Sequence, residues 1–342
     1  MVKQMMIGGQ VIRPGKRQMV SLQIAKLYDF TEIAIPIEVV RGKEDGPVLF
    51  VSAAIHGDEI NGVAIVKRLL QSRSLRNMRG TLIAVPILNV FGFNTKSRYL
   101  PDRRDLNRCF PGSPDGSLAS RLASMFMEEV VSHATHGIDL HSGALHRSNL
   151  PHVRACLDDP ETRRLAEAFQ VPVIINSALR DGSLREAARD HKIPMLVFEG
   201  GEALRFRENV TRAGVHGILS VMRAIGMLSP GKEKARKIRT FTAHSSYWVR
   251  APHSGMLRPL KKLGEAVKAN ELLGVVSDPF GEHRFEVRAK YPGIVLGISM
   301  LPLLNDGDAV YHIATFEDNT LVEENVEAFQ DSIRSQADTY IT

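Results

Sequence analysis

Apolar residues in the first two-thirds of the chain come in short runs. Pro47–Ile55 contains one polar side chain, Ser52, the pattern of a strand covered on both faces. Similar runs recur at Thr81–Pro86, Gly137–Leu140, Val171–Ile175 and Met195–Phe198, with helically spaced stretches between them, the first from Gly62 to Gln71. Strand alternating with helix predicts an α/β domain on a mixed, largely parallel sheet flanked by helices. In such sheets ligands bind outside the carboxyl ends of the strands. His56–Glu59, His141 and Glu199 stand at those ends.

The pattern changes around Ser229-Pro230-Gly231-Lys232. Proline, glycine and the basic run Lys232–Lys237 mark a solvated linker. An internal repeat follows. Val249-Arg250-Ala251 with Gly255 returns as Val287-Arg288-Ala289 with Gly293, and Gly264-Glu265-Ala266-Val267 returns as Gly307-Asp308-Ala309-Val310. Short strands joined by glycine turns predict a smaller C-terminal all-β domain, a barrel or sandwich, over 241–316. The repeat resembles lipoyl and biotinyl carrier modules, which present an attachment lysine between their halves. Here that stretch, Ser277–Gly281, has no lysine, which favours a structural or site-covering role. The expected organisation is a catalytic α/β domain over 1–235, the β domain over 241–316, and an acidic tail over 317–342. Leu321, Val322, Val326, Phe329 and Ile333 allow the tail one amphipathic helix, and a frayed end is the alternative.

A length of 342 residues exceeds what one core usually serves. Apolar residues at 44% and charged residues at 24% are those of a globular protein. No apolar run reaches the roughly 20 residues of a membrane span, and Met1–Arg17 lacks the apolar core of a signal peptide. Two cysteines, Cys109 and Cys156, are too few for a disulfide framework, so a cytoplasmic setting is expected. The net charge of +6 is scattered and aromatics stand at 6%, which speaks for a small anionic substrate over nucleic acid. Homo-oligomerisation is compatible with all of this.

His56 and Glu59 are three residues apart on a turn entering a helix, so an imidazole and a carboxylate can face one centre. The same spacing also describes a polar turn whose acids favour a helix N-terminus. His141, again at a strand end, shifts the balance, because two histidines and one glutamate with an open fourth position form a catalytic zinc arrangement. Asp139 shares the strand face of His141 and can orient an imidazole, or cap a local turn. Glu199 can serve as general base beside a metal centre, or precede a helix starting near Glu202. In Asp105-Leu106-Asn107-Arg108-Cys109-Phe110-Pro111-Gly112, Arg108 offers a planar fork to a carboxylate and Asn107 an amide donor. One of Arg98, Arg103 and Arg104 can stabilise an oxyanion. Gly226–Glu233 is close to a phosphate-binding loop, but Glu233 replaces the hydroxyl residue and Pro230 removes a donor. Cys109, lacking a nearby histidine in sequence, reads as a packed thiol.

His-Gly-Asp-Glu at 56–59, Asp-Leu-Asn-Arg at 105–108 with Phe-Pro-Gly at 110–112, Asp-Leu-His at 139–141 and Phe-Glu-Gly-Gly at 198–201 follow in that order. Together they resemble the succinylglutamate desuccinylase/aspartoacylase family of the zinc carboxypeptidase superfamily, over roughly 45–225. The resemblance implies a zinc-carboxypeptidase-like fold and one zinc on His56, Glu59 and His141. It implies Glu199 as general base, Arg98 as the arginine that polarises the scissile carbonyl, and Asn107 and Arg108 on a substrate carboxylate. Phe198–Gly201 departs from the Val-Glu-[Val/Leu]-Gly of the named acylases and is closer to their less characterised relatives. The expected activity is zinc-dependent hydrolysis of the amide of a small carboxylate-bearing N-acyl amino acid, with ester cleavage open to the same chemistry. The rival readings are a carboxypeptidase acting on short peptides and a non-catalytic carrier or binding protein.

Overall fold

The computed structural model describes residues 4–230 and 238–335. The expected basic linker Lys232–Lys237 and residues 336–342 of the tail lie outside them. A short hairpin, β1 (Met6–Ile7) and β2 (Gln10–Val11), leads into the antiparallel pair β3 (Arg17–Lys26) and β4 (Glu32–Arg41). The α/β region then runs β5 (Val48–Ala53), α1 (Asn61–Gln71), β6 (Thr81–Val85), α2 (Val90–Thr95), α3 (Leu118–Glu129), β7 (His136–Gly143) and β8 (Arg147–Ala155). It continues with α4 (Pro160–Ala168), β9 (Val173–Asn176), α5 (Leu184–Asp190), β10 (Met195–Glu202) and α6 (Glu208–Ala224). The C-terminal strands are β11 (Phe241–Ala243), β12 (Ser245–Arg250), β13 (Gly255–Pro259), β14 (Ala266–Val267), β15 (Leu272–Ser277), β16 (Arg284–Arg288), β17 (Gly293–Ser299), β18 (Leu303–Leu304) and β19 (Ala309–Thr315), before α7 (Asn319–Ser335).

The sheet is mixed and flanked by helices. At its centre β10, β7, β5 and β6 run parallel, and their unbroken apolar runs have a direct cause. Leu49, Val51 and Ala53 of β5 join one core with residues of α1 and α6, while Phe50 joins the other with Phe126 of α3. Both faces are dry, so no alternation is visible. By contrast β3 alternates, with Val20, Leu22 and Ile24 buried and Met19, Ser21 and Gln23 exposed, the period of a half-covered strand. Neither that pair nor β8, which enters antiparallel beside β10, is among the strands expected from apolar runs.

The sheet does not stop at the α/β region. Its order is β12-β19-β17-β8-β10-β7-β5-β6-β4-β3, and on the edge of β8 away from β10, β17 pairs antiparallel over Arg147–Asn149 while β9 pairs parallel over Val153–Ala155. A second, four-stranded sheet, β16-β15-β13-β18, lies in the C-terminal region. The sequence repeat supplies equivalent inward positions there: Val249 with Val287, Ala251 with Ala289 and Val267 with Val310 are buried in one core. The tail forms a helix whose Val322 and Val326 pack on Leu150, Val173 and Ile294. None of the helices among the described residues is long and apolar enough to cross a membrane.

A chain ending at residue 230 loses the strands that cover β8 and β9 and uncovers Leu150, Val173 and Ile175. Such an edge with an apolar face invites aggregation. The truncated protein is expected in the insoluble fraction, and a monodisperse folded species in size-exclusion chromatography with circular dichroism would refute this dependence.

Candidate functional site

The turn after β5 brings two of the expected ligands together. Gly57 has no room for a side chain, since a Cβ there would lie 1.9 Å from the backbone carbon of Gly92. The turn therefore sits directly on the start of α2, where Asn89 caps the helix by accepting from Gly92 N at 2.8 Å. His56 Nδ1 then stands 2.7 Å from Glu59 Oε1. The other oxygen, Glu59 Oε2, meets His141 Nδ1 at 2.9 Å and accepts from Ser142 N at 3.0 Å. All three side chains are buried, and their ligand atoms lie within 4.8 Å of one another. A group of this kind can hold a metal ion.

The outward nitrogen of each ring is also held. His141 Nε2 lies 2.7 Å from Asp139 Oδ2, and Ser52 on β5 donates to Asp139 Oδ1 at 2.7 Å. His56 Nε2 lies 3.1 Å from Asp105 Oδ1. A carboxylate behind each imidazole fixes the ring and the tautomer, which is the support a metal-binding histidine needs. The donor set and its outer carboxylates thus fit a divalent cation. Burial opposes charge on His56, but Glu59 and Asp105 overcome it and raise its pKa. His141 is raised well above its ordinary value, with Asp139 and Glu59 outweighing burial. Glu59 is held far below the usual carboxylate range against its burial by the two histidines, and Asp105 likewise by His56 and Arg98. Ligation requires the inward nitrogens to give up their protons, so binding releases protons.

Glu199 stands beside this cluster without joining it. In the parallel pairing of β10 with β7 it is opposite His141. Asn149 Nδ2 donates to its Oε2 at 3.2 Å, and Arg154 Nε is 3.7 Å from Oε1. Burial raises its pKa against the pull of Arg154. The alternative of a helix opening near Glu202 fails, because β10 runs through Glu202 and α6 begins at Glu208.

Of the three loop arginines, only Arg98 lines the cleft. Its guanidinium reaches Glu59 Oε1 at 3.3 Å and Asp105 Oδ2 at 2.9 Å. Arg104 is exposed beside Asp102, and Arg103 turns through a positive φ of 64°. Asn107 accepts from Leu184 N at 2.9 Å, satisfying an amide at the start of α5. Arg108 donates to Asn107 O at 2.5 Å, and both residues line the cleft. Cys109 donates to Asp105 O, and burial raises its pKa, so it is a packed thiol.

The cleft holds about 650 Å³, the size of a small-molecule site. Its lining includes residues that the sequence reading passed over: Asn149, Arg147 and Arg154 of β8, and Trp248 and His312 of the C-terminal strands. Arginines spaced along a strand look like any solvated face. Their role in the lining follows only once β8 is known to lie beside β10.

Comparison with known proteins bears on the same region. The family model described as the succinylglutamate desuccinylase/aspartoacylase catalytic domain matches residues 45–225. The N-alpha-acetyl-L-2,4-diaminobutyric acid deacetylase of Halomonas elongata is 29% identical over 296 residues, covering 82% of this chain and 86% of that protein. The crystal structure of a succinylglutamate desuccinylase/aspartoacylase from Rhodobacter sphaeroides superposes with a TM-score of 0.78 at 25% identity, covering 89% of this chain and 96% of that one. The product-bound ectoine utilization protein EutE (DoeB) of Ruegeria pomeroyi gives 0.77 at 25% identity, over 88% and 95%. With more than half of its length matched by the catalytic-domain model and its motifs gathered in one cleft, the chain belongs to the succinylglutamate desuccinylase/aspartoacylase family.

Proposed function

We propose that the protein is a zinc-dependent hydrolase that cleaves the amide bond of an N-acyl amino acid. One observation carries the reading: a buried His56–Glu59–His141 cluster with Glu199 opposite His141 on the adjoining strand. Two imidazoles and one carboxylate are the ligands of catalytic zinc, and the absence of thiolate among them suits zinc better than a sulfur-bound centre. The Halomonas deacetylase supports the substrate class.

When bound, zinc supplies Lewis acidity toward the scissile carbonyl and a lowered pKa for water. The protein's own residues account for the remaining work. Glu199, with its pKa raised by burial, takes a proton from the attacking water and returns it to the leaving nitrogen. Asn149 holds Oε2 of this carboxylate. Arg98 is a fixed cation beside Glu59, where charge develops on the carbonyl oxygen. Asn107 and Arg108 receive the substrate carboxylate at the rim, the guanidinium through its planar fork. Asp139, held by Ser52, and Asp105 position the two imidazoles.

Purified protein is expected to contain on the order of one zinc per chain, lost in His141→Ala. A folded wild type without metal after zinc-supplemented expression would overturn the reading. Asp139→Ala removes the carboxylate behind His141 and should weaken zinc about 10- to 100-fold in competition with a chelator. An unchanged affinity would leave Asp139 as a local structural group only.

Glu199→Gln should keep its zinc and lose about 10²- to 10⁴-fold in kcat on a panel of N-acetyl, N-succinyl and N-formyl amino acids. Full turnover in that variant would remove Glu199 as the base. Because its pKa is raised, the basic form is present above that value, and kcat/KM should fall as pH drops through it. Arg154 favours the charged carboxylate, so Arg154→Met should move this acid limb to higher pH. A limb that stays in place would show that another group titrates.

A further inference from the structure

A separate hollow lies at the opposite end of the sheet from the His56–Glu59–His141 cluster. His56 follows the end of β5, whereas Val48 at the start of β5 pairs with Thr81 at the start of β6, and Thr81 pairs with Arg41 at the end of β4. Around Arg41 the hollow encloses about 370 Å³. Three segments wall it: Gly15–Arg17 leading into β3, Val40–Lys43 at the end of β4, and the last turn of α1 with the 3₁₀ turn Arg73–Asn77 behind it. α1 begins two residues after Glu59, and its 11 residues put roughly 16 Å of helix between the cluster and this end.

The walls are cationic. Among the described residues Lys16, Arg17, Arg41, Lys43, Arg73 and Arg76 line the hollow, and no aspartate or glutamate does. Local structure places these charges. Ser72 accepts from Ser74 N at 3.3 Å and opens the 3₁₀ turn, in which side chains three apart eclipse, so Arg73 and Arg76 share a face. Arg17 is fixed by Glu38 and by donating to Leu70 O at 2.8 Å. That bond also answers the partial negative charge at the C-terminal end of α1, which would otherwise repel an anion. Arg41 is buried and donates to Ile12 O at 2.7 Å, with Asp45 at 4.0 Å. Lys43 lies along Gly15, where a Cβ would stand 3.0 Å from its Cγ. Glu38 and Asp45 thus stand against two of the six charges. Among the described residues no carboxylate lies within ion-pair distance of Lys16, Lys43, Arg73 or Arg76. Charges of one sign that converge on a concavity with apolar walls, here Val40, Leu70 and Leu75, focus their field into it.

The volume is that of a small-molecule site. Guanidinium forks match oxyanions, and a phosphate group offers three acceptor oxygens to donors arriving from three walls, where a carboxylate offers two in one plane. Among the described residues no aromatic side chain lines the hollow, so it lacks the stacking surface that single-stranded nucleic acid uses.

We propose that this hollow is a second ligand site, remote from the cleft, for a small phosphate-bearing compound with at least two negative charges. It shares no lining residue with the cleft and stands apart from the hydrolase reading.

Calorimetric titration of the full chain with fructose 1,6-bisphosphate at about 0.15 M salt should give a Kd below about 1 mM. Fructose 6-phosphate should bind about tenfold more weakly or worse, and fructose not at all. Arg73→Met/Arg76→Met should weaken the bisphosphate by about tenfold or more, the loss of charge-assisted pairs, while Arg154→Met in the cleft leaves its binding in place. Both substituted side chains are exposed, so circular dichroism of the double variant should match that of the wild type. Lys16→Met/Lys43→Met tests the facing walls should the first pair misfold. The bisphosphate should also slow amide hydrogen exchange in residues 40–43 and 70–76.

A Kd above that limit overturns the site. So does an affinity that neither double variant moves, or one that Arg154→Met removes, which would put the anion in the cleft. Citrate bound more tightly than the bisphosphate overturns the assignment to phosphate. A single-stranded oligonucleotide or phosphatidylserine vesicles bound through Arg73 and Arg76, with the bisphosphate unbound, would make the surface macromolecular and overturn the small ligand.

Discussion

The buried carboxylate of Glu59 is the constraint on which the site depends. At 2% exposure an isolated charge there would be prohibitive. It is offset from four directions: the turn that carries His56, the strand end that carries His141, the backbone amide of Ser142, and the loop that carries Arg98. Each belongs to a different part of the chain or to a different atom of one strand end. Removing one partner from such a cluster typically costs about 3–5 kcal/mol, because the remaining charge stays buried. Folding and assembly of the His56–Glu59–His141 cluster are therefore the same event, and the α/β core has to bring the ends of β5 and β7 to one level.

Register does that. Ser52 of β5 lies opposite Asp139 of β7, and Asp139 lies opposite Val197 of β10. Two residues further along β7 and β10, on the same faces, His141 lies opposite Glu199. The hydroxyl that fixes Asp139, the aspartate that fixes His141 and the glutamate beside His141 are thus set by two adjoining parallel ladders. A slip of one residue would send these side chains to the opposite face. The apolar runs beneath them hold the register through both cores, which is how packing far from the cleft sets distances inside it.

The parts of this arrangement that were legible in the sequence share a property: each is local. A strand buried on both faces is a run of apolar residues, and a ligand pair on one turn is a spacing, so β5, β7, β10, His56 and Glu59 could be read directly. The alternation in β3 was also visible, but a search for apolar runs passes over it. Long-range pairing is different. That β8 would enter antiparallel beside β10, or that β17 would extend the same sheet, is written in no short stretch, because any strand edge offers the same amides and carbonyls. Asp105 shows the intermediate case. It belongs to the motif from which Asn107 and Arg108 were chosen, yet its contact with His56 depends on how the loop folds back. Arg98 could be separated from Arg103 and Arg104 on the resemblance alone, and the structure supplies the physical difference: two carboxylates within reach.

β8 explains why a β module belongs in this protein without a lysine to swing. One edge of the strand pairs with β10, and the other is shared by β17 at Arg147–Asn149 and β9 at Val153–Ala155. Asn149 sits at the crossing, opposite Gly201 on one side and Gly297 on the other, and its amide holds Glu199. The glycines are needed there. A Cβ on Gly297 would lie 3.0 Å from the Asn149 side-chain oxygen, and Gly201 turns at a φ of 76° where the β10 ladder breaks register. The C-terminal strands therefore do more than close the cleft with Trp248 and His312. They hydrogen-bond to the same strand that orients the carboxylate, so the position of Glu199 is set from both regions at once, and a change in how β17 docks on β8 reaches Glu199 through Asn149.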